Sequence, residues 1–242
     1  MERSCKVCLP VFIVLTIPVF IILYAFTAVI VLLILLFAQF KMKRVVKALI
    51  HFWAKASFIM MLKRLRIIGK EHIEKDRRYV MVANHASLFD ILAIMAIYPD
   101  VSFFGREHLT KIPVFGKVLQ SIDYVPMRTT DLRNTKQMLE QLEDKSRRLT
   151  VAIFPEGTRT RTGELNRFRK GFVHLIKATG YHVLPITLNG FYFFKPANRF
   201  HINFSSRLGV VIHQAIESEE LINKDDKDII AHVRGVIQSG YY

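Results

Sequence analysis

Apolar and polar residues are distributed unevenly along the chain, and the first long segment is uncharged. Residues 9–40 contain no Asp, Glu, Lys or Arg. A helix of these 32 residues would be about 48 Å long, which exceeds the roughly 30 Å hydrocarbon core of a bilayer. The run is also longer than the apolar core of a cleaved signal peptide. We therefore interpret it as a retained membrane segment, which either spans the bilayer with a strong tilt or enters one leaflet and turns back.

Beyond this segment, short apolar runs alternate with amphipathic stretches. Strands are predicted where a short run of apolar residues ends at a turn, and helices where apolar residues recur every three or four positions. The predicted strands are 78–84, 101–105, 149–154, 181–190, 200–205 and 207–213. The predicted helices are 90–98, 129–148, 169–180 and 225–238. Strands that alternate with helices predict an α/β sheet covered by helices.

The two patterns divide the chain into two regions. Residues 1–70 are predicted to form an N-terminal membrane-anchoring helical region, and residues 71–242 an α/β domain. The stretch at 41–70 is rich in Lys and Arg and contains no acidic residue. It resembles an amphipathic helix on an anionic lipid surface, the alternative being a helix packed on the domain with a solvated charged side. Positive charge after an apolar segment also predicts that the domain lies on the cytoplasmic side.

Composition narrows the classes of partner. The formal net charge is +15, from 35 basic and 20 acidic residues, which suits nucleic acid, anionic lipid or phosphorylated small molecules. The sequence contains no zinc finger or aromatic RNA-binding motif, so nucleic acid is not expected as a partner. The two cysteines, Cys5 and Cys8, have no second pair with which to complete a zinc site, so no metal is predicted.

The turn after the first strand of the domain reads NHASLFD, over residues 84–90. Ser87 is suited to cap the helix that follows, and an acid three residues later gives a pattern close to a capping box. His85 precedes the cap, so a turn could fold its imidazole back onto Asp90. A carboxylate that accepts one imidazole N–H leaves the other ring nitrogen able to take a proton. The alternative is structural: Asp90 caps the helix and His85 is a polar turn residue.

A second polar turn reads FPEGTRTR, over residues 154–161, and follows another predicted strand. Gly157 permits a tight turn, with Glu156 and Arg159 on either side of it. Loops at the strand ends of α/β domains are where ligands usually bind. Arginine, hydroxyl and backbone N–H groups suit a phosphate, and Arg106, after an earlier strand, could converge on the same edge.

Several common catalytic motifs are absent from the sequence. It contains no G-x-S-x-G nucleophile elbow, G-K-[ST] phosphate loop, G-x-G-x-x-G fingerprint or H-E-x-x-H zinc motif. Without a marked nucleophile or metal cluster, a His–Asp pair suggests general-base catalysis. The reaction would then be direct attack by a substrate hydroxyl on an acyl group that is already activated.

The two polar turns resemble the first and third sequence blocks of the 1-acyl-sn-glycerol-3-phosphate acyltransferase family. FFGREHLTKIPVFGKVLQ (103–120) is similar to the second block of that family, and LPIT (184–187) is similar to the fourth. The resemblance covers residues 78–190. Arg106 departs slightly from the family pattern, in which many members have Lys, but both side chains are cationic.

The resemblance implies the glycerolipid acyltransferase fold, a mixed sheet covered by helices, and the reaction of that family. An acyl-CoA or acyl-carrier-protein thioester would donate a fatty acyl group to the sn-2 hydroxyl of lysophosphatidic acid, giving phosphatidic acid, with no cofactor. His85 is implied as the general base and Asp90 as its orienting partner. The residues implied to hold the glycerol phosphate of the acceptor are Arg106, Glu156, Gly157, Thr158 and Arg159.

The implied partners are lysophosphatidic acid, an anionic phospholipid surface, and acyl-CoA or acyl carrier protein. The implied location is the cell membrane, with the active site on the cytoplasmic face. One alternative is an acyltransferase for another lysolipid or for glycerol 3-phosphate. Another is a non-catalytic basic protein that binds the membrane surface, and the absence of turnover would identify it.

Overall fold

The computed structural model describes residues 8–74, 76–121, 124–127 and 150–242, and the helix predicted at 129–148 lies outside them. The described strands are β1 (Leu65–Ile68), β2 (Tyr79–Ala83), β3 (Val101–Arg106), β4 (Val125–Met127), β5 (Thr150–Ile153), β6 (His182–Asn189) and β7 (Leu208–Ile212). The described α-helices are α1 (Cys8–Gln39), α2 (Lys43–Met60), α3 (Phe89–Ile97), α4 (Phe115–Ser121), α5 (Gly171–Thr179), α6 (Phe191–Phe194), α7 (Ser218–Ile222) and α8 (Asp226–Ser239).

The described strands form one mixed sheet in the order β1-β7-β6-β2-β5-β3-β4. Neighbouring strands from β6 to β4 are parallel, whereas β7 is antiparallel to β6 and β1 is parallel to β7. The prediction of a mixed α/β sheet covered by helices is therefore confirmed. Because β2, β3, β5 and β6 run in the same direction, the turns that follow them lie at one edge of the sheet.

Alternate residues of the central strand β2 face opposite layers of helices, as the two-residue period of a strand requires. Met81 and Ala83 pack in one core with side chains of α1, α2 and α3. Val80 and Val82 pack in a second core with side chains of α5, α7 and α8. Both faces of β2 are buried, which explains why its sequence is apolar throughout instead of alternating with polar residues.

The uncharged N-terminal segment forms α1, which packs along the domain. Thr16 Oγ1 accepts a hydrogen bond from the Ile202 N–H at 3.0 Å. Thr27 Oγ1 accepts one from Trp53 Nε1, also at 3.0 Å. Among the described residues, Leu9–Gln39 is the one helix long and apolar enough to cross a membrane. The two threonines, which are unusual in so apolar a segment, therefore attach α1 to the loop before β7 and to α2.

The basic segment after α1 forms the amphipathic helix α2. Its buried side chains recur at helical spacing: Val46, Ile50, Ala54, Ser57 and Phe58. His51 Nδ1 lies 2.9 Å from the carbonyl oxygen of Met95 and so links α2 to α3. The helix packs on the domain through this side, while the large apolar side chains of Phe52 and Ile59 remain exposed. One side of α2 thus stabilises the fold and another presents apolar surface outward.

The sheet begins before the predicted domain boundary at residue 70. β1 pairs in parallel with β7, from Leu65 opposite Leu208 to Ile68 opposite Val211. Side chains of α1 and α2 also belong to the same core as the sheet. The N-terminal region and the α/β domain therefore share one core, and the division expected from the composition does not separate two independent cores.

Two local predictions differ from the structure. Residues 200–205 are a loop instead of a strand, because the Ile202 N–H bonds to Thr16 of α1 and not to a neighbouring strand. The helix after the NHASLFD turn begins at Phe89, one residue later than a cap at Ser87 would place it. Ser87 still contributes to this helix start, since its Oγ lies 3.4 Å from the Phe89 nitrogen.

Replacing Thr16 by Val is expected to weaken the docking of α1. The substitution keeps the shape of this fully buried side chain but leaves the Ile202 N–H without its acceptor. An unsatisfied buried donor costs about 1–3 kcal/mol, so the midpoint of thermal unfolding in detergent, followed by circular dichroism, should fall. Ile17→Val, at a half-exposed position of the same helix, is the control. Equal shifts in the two variants would contradict the role of this hydrogen bond.

Candidate active site

Two neighbouring turns at one edge of the sheet carry the residues singled out in the sequence. Residues 84–90 lead from β2 into the first turn of α3, and residues 154–161 follow β5, which pairs with β2. Asn84 fixes the first turn, because its Nδ2 donates to the Leu188 carbonyl at 3.0 Å and its Oδ1 accepts the Leu188 N–H at 2.7 Å. This amide extends the pairing of β2 with β6 beyond the end of the strand and sets the starting direction of the turn.

His85 and Asp90 are in direct contact within the first turn. Nδ1 of the imidazole lies 2.8 Å from Oδ2 of Asp90. The same oxygen accepts the backbone N–H groups of Ala86 at 2.6 Å and Ser87 at 2.8 Å. The Asp90 side chain is fully buried, whereas that of His85 is 16% exposed. The turn thus folds the imidazole back over the start of α3 and leaves one part of the ring accessible.

The hydrogen bonds of Asp90 determine which nitrogen of His85 carries a proton. An oxygen that accepts two backbone N–H groups acts as a carboxylate acceptor, so Nδ1 of His85 is the donor in this pair. In the neutral ring Nε2 is then the proton acceptor. The Phe154 ring stacks on the imidazole, with centroids 4.1 Å apart and an interplanar angle of 17°. Stacking and hydrogen bonding together fix the plane of the imidazole.

The side chain of Glu156 joins the two turns by accepting hydrogen bonds from backbone N–H groups. Its Oε1 accepts the His85 N–H at 2.7 Å, and its Oε2 accepts the Asn166 N–H at 3.0 Å. The Thr160 N–H donates in turn to the His85 carbonyl at 2.8 Å. Burial raises the pKa of Glu156, although the two backbone hydrogen bonds oppose that shift. These contacts give Glu156 a positioning role, and the substrate contact implied by the family resemblance stays a prediction.

The tip of the second turn is formed by Gly157, Thr158 and Arg159. Gly157 has a φ of +70°, in the left-handed region that favours glycine. A Cβ at this position would lie 3.0 Å from Nε of Arg169, so the absence of a side chain also makes room for that arginine. Thr158 and Arg159 are exposed at the tip, where a ligand can reach them. Their binding of a phosphate stays a prediction.

Arg106 is the last residue of β3, whose carboxyl end lies at the same edge of the sheet. Its side chain is outside the described part of the chain, so its contribution to binding stays a prediction. Lys195, in contrast, is a basic residue that no sequence motif marks. Ser87 Oγ donates a hydrogen bond of 2.6 Å to the Lys195 carbonyl, across a separation of 108 residues. Only the folded chain brings this lysine beside the His85 turn.

One group of three possible metal ligands occurs among the described residues, and it lies away from the two turns. It consists of His182, Glu217 and Glu219. His182 is the first residue of β6, at the opposite end of that strand from the two turns. Glu217 is 2.6 Å from the Arg77 guanidinium and 3.0 Å from His182 Nδ1. The group is thus part of an ion-pair cluster and adds no ligand to the His85 site.

Comparison with known proteins identifies relatives of this chain. The model of a family described as Acyltransferase matches residues 64–189. The chain is 30% identical over 170 residues to 1-acyl-sn-glycerol-3-phosphate acyltransferase LPAT1 from the chloroplast of Arabidopsis thaliana, covering 69% of this chain and 48% of that protein. It is 29% identical over 176 residues to 1-acyl-sn-glycerol-3-phosphate acyltransferase of Borreliella burgdorferi, covering 66% of this chain and 68% of that protein.

A solved structure has the same fold. The 1-acyl-sn-glycerophosphate (LPA) acyltransferase PlsC from Thermotoga maritima aligns with a TM-score of 0.81 and 24% sequence identity, over 95% of each chain. The alignment supports the mixed sheet and its helical layers over nearly the whole chain. The chain spans about half the length of the chloroplast relatives that it matches.

Replacing Glu156 by Gln is expected to change how stability depends on pH. Burial raises the pKa of Glu156 above its ordinary value of 4.5. Between pH 4.5 and the raised pKa, the folded protein therefore holds a proton that the unfolded chain releases. The stability contributed by the protonated carboxyl is complete below pH 4.5 and is lost as pH rises through the folded pKa. The Glu156→Gln variant should lack this loss. Urea unfolding from below pH 4.5 to neutral pH measures it.

The same substitution has a second effect, which does not depend on pH. A glutamine amide presents a single oxygen to the two backbone N–H groups, so about 1 kcal/mol of stability should be lost at every pH. Glu164→Gln, an exposed position in the same loop, is the matched control. Parallel stability curves for wild type and the Glu156→Gln variant would contradict the raised pKa.

Proposed function

The chain belongs to the Acyltransferase family, and on that premise we propose that it moves a fatty acyl group from an acyl thioester to the sn-2 hydroxyl of lysophosphatidic acid. The product would be phosphatidic acid, so the protein would act in phospholipid biosynthesis. The observation that carries the proposal is the contact between His85 Nδ1 and buried Asp90 at 2.8 Å, which leaves Nε2 as a proton acceptor at a partly exposed position. The names of the relatives, all 1-acyl-sn-glycerol-3-phosphate acyltransferases, support this choice of acceptor.

In the proposed reaction His85 acts as the general base. Nε2 takes the proton of the acceptor hydroxyl while the oxygen forms a bond to the thioester carbonyl carbon. The tetrahedral intermediate then collapses and the carbon–sulfur bond breaks. The departing thiolate takes the proton from the imidazolium, which returns His85 to its neutral form. No group is transferred to the protein, which agrees with the absence of a nucleophile elbow in the sequence. The thioester supplies the activation of the acyl group.

Asp90 would orient the imidazole and stabilise its charged form. Its Oδ2 holds the Nδ1 proton, so the tautomer with Nε2 available as acceptor is favoured before substrate binds. Two backbone N–H groups and the positive end of α3 stabilise the negative charge of the Asp90 carboxylate, which lies opposite the imidazolium formed in the reaction. The proton is therefore kept on the imidazole until the thiolate collects it. Asp90 does not itself touch the substrate in this scheme.

The acceptor phosphate would be held at the tip of the second turn. Arg159 offers a planar guanidinium that can form two hydrogen bonds to one phosphate, and the exposed Thr158, which precedes it, adds a hydroxyl. Arg106, at the end of β3, would assist from the same edge of the sheet. Phosphate binding at one turn and proton removal at the other would position the sn-2 hydroxyl, which reduces the entropic barrier of a reaction between two substrates.

The membrane would supply the acceptor and receive the product. Large apolar side chains are exposed along α1, and Phe52 and Ile59 are exposed on α2, so both helices offer surface to lipid. Because α1 also packs along the domain through Thr16 and Thr27, we propose that the domain is held close against the bilayer. The basic segment after α1 supports a cytoplasmic active site, where acyl-CoA or acyl carrier protein would donate the chain.

Asp90→Asn is expected to reduce kcat about a thousandfold or more, because the amide no longer favours the Nδ1–H tautomer of the imidazole. The measurement is initial-rate kinetics with a labelled acyl thioester and lysophosphatidic acid, together with thermal unfolding. His85→Ala should abolish turnover and still bind the lipid, whereas His232→Ala, on the exposed side of α8, should behave as wild type. An Asp90→Asn variant that unfolds at lower temperature yet keeps a normal kcat would show that Asp90 is only a helix cap.

Arg159→Lys is expected to raise the KM for the phosphate-bearing acceptor about tenfold, since lysine retains the charge but loses the planar fork. The KM for the acyl donor should stay as in wild type. Arg167→Lys makes the same exchange at an exposed position farther along the loop and serves as control. If the acceptor KM is the same in both variants and wild type, Arg159 has a structural role and the phosphate binds elsewhere.

A further inference from the structure

Besides the exposed Arg207, the loop between α6 and β7 carries three partly buried basic side chains that the proposed reaction does not use. They are Lys195, Arg199 and His201, named here the loop cluster. All three are partly buried, and burial lowers the pKa of each of them. Repulsion by Arg159 and Arg199 lowers the pKa of Lys195 further, and repulsion by Arg199 and Lys195 lowers that of His201. Lys195, Arg199 and Arg159 therefore form one region of positive charge, and His201 beside them is mostly neutral at pH 7.

The loop cluster lacks a counter-charge among the described residues. No carboxylate in the described ranges forms an ion pair with Lys195, Arg199 or His201. Like charges in a partly buried region repel each other more strongly than charges in water. Holding them together without an acid destabilises the empty protein, and a bound anion would relieve the repulsion. The arrangement is thus suited to binding an anion.

Hydrogen bonds fix the position of the loop on the side of the active site. The Arg199 guanidinium donates to the carbonyl oxygens of Phe193 and Phe194, and the bond to Phe194 is 3.0 Å long. Ser87 Oγ donates to the Lys195 carbonyl at 2.6 Å. The loop is therefore attached to the turn that holds the His85–Asp90 pair. A ligand on Lys195 would lie next to that turn.

The other side of the loop touches α1. The Phe200 ring packs edge-on against Phe20, with centroids 5.7 Å apart, and the Ile202 N–H bonds to Thr16 Oγ1. Phe200 is 62% exposed in spite of this contact, and Phe193 at the other end of the loop is 48% exposed. Basic groups framed by exposed aromatic rings and an apolar helix are typical of a protein surface in contact with lipid head groups.

We propose that the loop cluster supplies further contacts to the phosphomonoester of the lysolipid acceptor, which it holds at the bilayer surface together with Arg159. This inference rests on the proposed function, because that function identifies the acceptor as a phosphate-bearing lipid. The ligand is a membrane lipid, since the loop lies between α1 and the active-site turn. A dianionic phosphomonoester neutralises the charge of several cations at once, whereas a zwitterionic head group carries its own positive charge and neutralises them poorly. The loop cluster thereby contributes to the choice of acceptor.

The test measures binding in the absence of an acyl donor. Short-chain lysophosphatidic acid is titrated by calorimetry into the full chain in neutral detergent micelles. Lys195→Gln is expected to raise Kd about tenfold, which corresponds to about 1.4 kcal/mol, and Lys195→Arg should restore most of the affinity. Lys227→Gln removes an equal charge from the exposed side of α8 and should leave Kd unchanged. Binding of short-chain lysophosphatidylcholine should be weak and insensitive to Lys195.

Three results would overturn the inference. The first is an unchanged Kd for lysophosphatidic acid in the Lys195→Gln variant with a native circular dichroism spectrum. The second is a raised KM for the acyl donor without an effect on the acceptor, which would assign the loop cluster to the phosphates of the donor. The third is equally tight binding of glycerol 3-phosphate, which would identify a soluble ligand in place of a membrane lipid.

The outcome for the proposed function is separate. Binding of lysophosphatidic acid that depends on Lys195, without turnover of any lysolipid, would support the phosphate contacts of the loop cluster and reject the acyltransferase reaction. Turnover of lysophosphatidic acid, together with a Kd that does not change in the Lys195→Gln variant, would reject the phosphate contacts of the loop cluster and retain the reaction.

Discussion

The arrangement of the site depends on the buried carboxylate of Asp90. A charge removed from water is costly unless hydrogen bonds replace its hydration. Here His85 Nδ1 and the N–H groups of Ala86 and Ser87 all converge on one oxygen within 2.8 Å, at the positive end of α3. The backbone and the imidazole must therefore take up their positions together. The same interactions that make the burial of Asp90 tolerable also prepare Nε2 of His85 to accept a proton, before any substrate is bound.

A second buried carboxylate, that of Glu156, fixes the neighbouring turn relative to the His85 turn. It accepts the N–H of His85 and that of Asn166, so it couples the turn after β2 to both ends of the loop after β5. Phe154, at the start of the same loop, stacks on the His85 ring. Consequently the tip with Arg159 and the His85 imidazole are rigidly connected. The proposed reaction, in which one lipid is held by its phosphate and its hydroxyl, would require this kind of rigid connection.

Sequence reasoning predicted those features that depend on local chain properties. The apolar runs located the main strands, and the S-x-x-D pattern placed Asp90 at a helix start where it could meet His85. Interactions between distant residues were outside its reach: Glu156 bonds a backbone N–H at a separation of 71 residues, and Lys195 bonds Ser87 at a separation of 108. The four-residue strand β1 was missed because it continues a basic amphipathic stretch. The loop at 200–205 was taken for a strand because its alternating pattern reflects packing against α1 instead of a sheet.

The position of that loop explains how an apolar helix and a polar candidate site are connected in one fold. Ile202 bonds to Thr16 on α1, while Lys195, in the same loop, bonds to Ser87 in the turn that carries His85. A helix connected to the domain only by a flexible linker would leave the distance between bilayer and active site undefined. Fixing α1 to this loop sets that distance through hydrogen bonds and aromatic packing, because the loop is also bonded to the turn. In the proposed membrane-bound state, the depth of α1 in lipid would therefore determine how close a head group comes to His85.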